Sequence, residues 1–214
     1  YLSALLTSDT EAVPDDSRYG YRDILRKSFA SYGITPAAKT SDGLWRKAGD
    51  DFVYDRTHFD SLLSDENEVF RFIWDNREKF KIDDKAYTNV LSVRPCMRVA
   101  PDGFVIRETV AEYIQVAELK SHELDSLDPA IGVKLPRNLN VTLYGSGTLI
   151  FDEYGRLKFH IFNRLFSQTK QIERLKYLWK SGYLRDRRSF NKDLFLSMHL
   201  KRNASVANTF LEEF

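Results

Sequence analysis

The feature that most constrains the fold is a change in the spacing of apolar residues near residue 89. Before it, apolar side chains recur every three or four residues, which predicts helices; after it they alternate with polar ones, which predicts strands. Helices, then an antiparallel sheet, then a helix that covers it define the α+β class. We predict a mainly helical segment over 1–88, the end of a helical subdomain, and a β-rich module with a C-terminal helix and a basic end over 89–214.

The clearest helical pattern lies between Pro14 and Pro36. The polar residues 15–17 are good N-cap candidates and place negative charge at the positive end of the helix dipole. Gly33 suits the C-terminal stop, and Pro36 prevents the helix from resuming. The apolar stripe between these signals consists of Tyr21, Ile24, Leu25, Ser28, Phe29 and Tyr32.

A second helix is predicted after Ser64-Asp65, with Ser64 in a capping arrangement. One side of this helix carries Val69, Phe70, Ile73, Trp74, Arg77 and Phe80. Residues 36–64 are expected to be irregular apart from a short strand at Phe52–Tyr54.

Two hairpins are predicted in the second part of the chain. The first turns at Pro101-Asp102-Gly103, where proline and glycine suit the required dihedral angles. Residues 108–119 favour a strand over a helix, because they include the β-rich run 113–116. After a long connection over 121–140, the second hairpin joins 141–151 to 156–162.

The return strand of the second hairpin alternates in polarity. Leu157, Phe159 and Ile161 alternate with Arg156, Lys158 and His160, so we expect the second set to face water. A last helix is predicted over 168–183, with Ile172, Leu175, Leu178 and Trp179 directed inward.

Cys96 is the only cysteine, which excludes an internal disulfide and a cysteine-rich zinc site. We expect it to be buried as a small hydrophobe. A single thiol is compatible with a reducing compartment, and the cytoplasm is the location we expect. No apolar run approaches the roughly 18 residues that span a bilayer, so no membrane partner is expected.

Familiar catalytic motifs do not match. A helical zinc-peptidase motif needs two histidines four residues apart, and although His122-Glu123 begins the pattern, position 126 is Ser126. Gly145-Ser146-Gly147 stands between strands, where a bulge or a close backbone approach is favoured over a nucleophile. We therefore predict no catalytic residue, metal ligand or cofactor in this chain. An unrecognised enzyme site is a weaker hypothesis and requires polar groups that converge around His160.

Charge is strongly segregated. Residues 1–155 hold 19 Lys and Arg against 26 Asp and Glu, a net of −7, whereas residues 156–202 hold 13 against 3, a net of +10. The final twelve residues add −2, which gives the overall +1. The basic segment 156–202 could remain solvated, dock on the acidic part of the chain, bind an acidic protein surface, or hold nucleic acid, the least favoured partner. The candidate residues for an anionic partner are Tyr183, Arg185, Arg187, Arg188 and Lys192.

Two blocks of the sequence resemble a known family. The first is Tyr1-Leu2-Ser3-Ala4-Leu5-Leu6-Thr7-Ser8-Asp9 running to Val13-Pro14-Asp15-Asp16, then Tyr21-Arg22 and residues 29–34. The second is Ser92-Val93-Arg94-Pro95 with Val99-Ala100-Pro101-Asp102-Gly103, followed by residues 145–152. These blocks resemble the C-terminal region of large bacterial proteins related to thermolysin-like (gluzincin) metallopeptidases.

The resemblance implies that this chain is a fragment. The zinc ligands and catalytic glutamate of the family would lie upstream of Tyr1, so zinc is possible in the parent protein and no residue here inherits a catalytic role. The implied function is a non-catalytic C-terminal portion with a structural or interaction role, and its implied partner is the upstream part of the same protein. The alternative is a binding module that uses the basic segment on an anionic partner.

Overall fold

Helices precede an antiparallel sheet along the chain, and the predicted α+β class is confirmed. The helices before the sheet are α1 (Leu2–Ala12), α2 (Tyr21–Ser31), α3 (Phe59–Leu62), α4 (Glu66–Asp75) and α5 (Arg77–Phe80). The strands are β1 (Tyr87–Val99), β2 (Val105–Lys120), β3 (Asn140–Phe151) and β4 (Leu157–Asn163). Helix α6 (Ser121–Leu127) separates β2 from β3, and α7 (Gln168–Lys180) follows β4.

The structure is a computed structural model that describes residues 1–36, 42–127, 135–136, 138–166, 168–182 and 184. It divides into two compact units. The first contains Tyr1–Ala117 and Tyr144–Leu165, and the second contains Glu118–Leu143 and the chain from Phe166 onward. The predicted boundary at residue 88 stays a prediction.

The four strands lie in the order β1-β2-β3-β4. The first hairpin turns where predicted, because Gly103 takes a φ of 84° and Ala100 N donates to Phe104 O at 2.8 Å. The ambiguous stretch 108–119 is strand, as favoured. Strand β3 runs without interruption through Gly145-Ser146-Gly147 and pairs antiparallel with β4.

Helix α4 supplies much of the core of the first unit. Its buried apolar residues are Val69, Phe72 and Ile73, whereas Trp74 is 38% exposed. The predicted inward face of α4 was therefore wrong, because it included Trp74 and omitted Phe72. The true buried face is rotated about the helix axis relative to the predicted one. The cap also differs, since Asp65 rather than Ser64 accepts the hydrogen bond from Asn67 N at 2.9 Å.

The predicted strand at Phe52–Tyr54 is not formed. Its backbone is held instead by Asn76, whose side chain accepts from Val53 N at 2.7 Å and donates to Val53 O at 2.9 Å. The amide thus replaces a neighbouring strand, which satisfies the backbone groups that a ladder would otherwise pair. Phe52 and Tyr54 stack on core rings, with centroids 5.0 Å from Phe80 and 5.1 Å from Phe72 respectively.

Three further expectations need correction. The connection over 121–140 contains helix α6. Cys96 is exposed rather than buried, since it lies in the outer half of the edge strand β1. In α7, Leu175 and Leu178 are buried as predicted, but the helix ends at Lys180. Across the described part of the chain, no helix has both the length and the apolar character that a bilayer crossing requires.

Candidate functional site

The residues predicted for an anionic partner lie outside the described residues. These are Tyr183, Arg185, Arg187, Arg188 and Lys192. Whether these five side chains lie close together therefore stays a prediction. What it brings together lies in the first unit, where two sets of ionisable side chains converge on the sheet.

The first set is an ion-pair cluster around Glu108 of β2. This carboxylate is buried, with only 8% of the side chain exposed. One oxygen is 2.6 Å from the guanidinium of Arg98 on β1, and the other is 2.8 Å from Lys158 Nζ on β4. Each oxygen thus has its own cation, which offsets the cost of removing the charge from water.

Helix α1 completes this cluster. Glu11 contacts Lys158 Nζ and also lies 3.2 Å from Lys47 Nζ, while Ser8 accepts from Arg98 through its hydroxyl at 2.8 Å and through its carbonyl at 2.9 Å. The cluster therefore connects α1 to strands β1, β2 and β4 through charge-assisted hydrogen bonds.

The pKa shifts of Lys158 and Glu11 favour the ionised form of each. Burial alone would lower the pKa of Lys158, but the hydrogen bonds and charges of Glu108 and Glu11 outweigh it and raise that pKa. Burial alone would raise the pKa of Glu11, but Lys158 and Lys47 outweigh it and lower that pKa. At neutral pH Lys158 is a cation and Glu11 an anion, so neither is ready to exchange a proton.

The second set is a buried pair, Tyr113 of β2 and His160 of β4. The Tyr113 hydroxyl lies 2.9 Å from His160 Nε2. The imidazole lies parallel to the Phe162 ring, with centroids 4.4 Å apart, and meets the edge of Phe80 at 4.6 Å. In the described residues His160 is thus surrounded by aromatic rings and one hydroxyl, not by a converging set of polar groups.

Burial determines the protonation of this pair. It lowers the pKa of His160 to about 4 and raises the pKa of Tyr113. At neutral pH the imidazole is uncharged and the phenol keeps its proton, so the hydroxyl can donate to Nε2. A general base works best when its pKa lies near the operating pH, and His160 is far from that condition.

Gly147 makes the Tyr113–His160 contact possible. A Cβ at this position would lie 2.3 Å from the Tyr113 ring, which crosses the backbone of β3 there. Gly145 is similar, because its Cβ would lie 2.8 Å from Leu165 N. The prediction that these glycines mark a close backbone approach is confirmed.

Sequence reasoning did not predict the enclosed positions of Lys158 and His160, although the weaker enzyme hypothesis is centred on His160. Both were expected to face water, but Lys158 has only 18% of its side chain exposed and His160 is largely enclosed. The alternation predicted for β4 is broken by a register shift between Leu157 and Phe159, which places His160 opposite the buried Leu149 on the core-facing side. The prediction of no metal ligand can be compared only with the described residues, among which no cluster of three or more metal-binding side chains occurs.

The class that these features define is an α+β protein in which an ion-pair cluster ties an N-terminal helix to an antiparallel sheet. Comparisons with models of protein families, with curated proteins and with solved structures find no significant match. The resemblance to gluzincin metallopeptidases therefore stays a prediction that depends on the two sequence blocks.

Proposed function

We propose that this chain is a non-catalytic portion of a bacterial metallopeptidase-like protein, with a structural or interaction role. The proposal that the chain is non-catalytic is supported by the protonation and pairing of the side chains in the two converging sets. Lys158 and Arg98 balance the charges of Glu108 and Glu11, and His160 is uncharged between aromatic rings. Such groups stabilise a fold but lack a proton donor or acceptor poised near neutral pH.

The metallopeptidase-like parent is supported only by the sequence resemblance. It implies that any zinc site belongs to another part of the parent protein, and that the upstream part is the partner of this chain.

The test combines metal analysis with an activity assay on purified residues 1–214. We expect less than stoichiometric zinc by elemental analysis after dialysis against zinc, and no cleavage of a mixed peptide library. Stoichiometric zinc or reproducible cleavage would overturn the proposal. If cleavage occurs, the variants Lys158→Met and His160→Gln decide whether either converging set is responsible.

The charge segregation favours a second candidate function. In it, the basic segment 156–202 binds an anionic partner, either an acidic protein surface or nucleic acid. The test is retention on a heparin column, with a triple variant in which Arg185, Arg187 and Arg188 become Gln. The alternative predicts strong retention that falls steeply with salt and is lost in this variant.

A matched control removes the same charge elsewhere. Lys27, Arg56 and Lys85 are exposed and lie outside the basic segment. Changing these three to Gln leaves the chain with the same net charge as the arginine variant. If both variants lose retention equally, the binding depends on net charge alone and the basic segment is not a binding site.

A further inference from the structure

We draw no further inference here: the strongest candidate, the surface patch of exposed apolar residues Tyr21, Ile24 and Tyr32 along helix α2, carries none, because nothing in the described part of the structure shows what covers it.

Discussion

The buried imidazole of His160 makes stability depend on pH in a defined window. Its pKa is about 4 in the folded chain because it is buried, and about 6.5 in the unfolded chain. Between these values the unfolded state binds a proton that the folded state does not. Stability contributed by the neutral imidazole is therefore present above about pH 6.5 and is lost as the pH falls towards about 4.

The difference between the two pKa values corresponds to about 3 kcal/mol over the whole window. Of this, about 2 kcal/mol should be lost between about pH 6.5 and 4.5. Glu11, whose pKa is lowered, adds its own loss as the pH falls further, so the measurement stops at about 4.5. The assay is urea denaturation at a series of pH values, with a free energy of unfolding from each curve.

Two variants separate this effect from other titrations. His160→Gln should be less stable at neutral pH because it loses the ring contacts, but its stability should change little across the window. Tyr113→Phe removes the hydroxyl and keeps the imidazole buried, so it should retain most of the pH dependence. An equal slope in the wild type and in His160→Gln would refute the reasoning.

Three other perturbations test the same contacts. Lys158→Met removes the cation between Glu108 and Glu11 and should destabilise the fold by about 3 kcal/mol at neutral pH, less in acid, as measured by urea denaturation. Unchanged stability would mean that the cluster contributes nothing. Gly147→Ala forces a methyl group into the Tyr113 ring and should cost about 1–3 kcal/mol by thermal melting, with a smaller cost in a Tyr113→Leu background; equal costs in both would contradict the close approach. Cys96 is exposed, so it should react with a thiol reagent without denaturant; reaction only after unfolding would show it to be buried.

Much of the secondary structure could be predicted because its causes are local. The end of α2 follows from Gly33, which takes a φ of 72° just past it. At the start the N-cap is Gly20 rather than one of residues 15–17, although Asp16 accepts from the first N–H groups of the helix. The turn at Gly103 follows from dihedral preferences in the same way. The small size of Gly145 and Gly147 also signalled a close backbone approach, although not which residue would fill the space.

The candidate site could not be predicted, because its contacts join residues far apart in the chain. Tyr113 and His160 are 47 residues apart, and Glu108 and Lys158 are 50 apart. The predicted alternation of β4 was wrong, because the register shifts between Leu157, which pairs with Phe151, and Phe159, which pairs with Ile150. His160 pairs with the buried Leu149 and so lies on the same core-facing side as Leu157, which a strict period of two would not allow.

The sequence by itself determined the α+β class, most element positions and the segregation of charge, since spacing, caps and turn residues act over a few positions. Only the tertiary structure decided which apolar and polar stripes are covered. Tyr21, Ile24 and Tyr32 follow the helical period of α2 yet are exposed, whereas the polar Lys158 and His160 are mostly enclosed. Burial is a property of the neighbours that other parts of the chain supply, and those neighbours are set by strand pairing and long-range ion pairs.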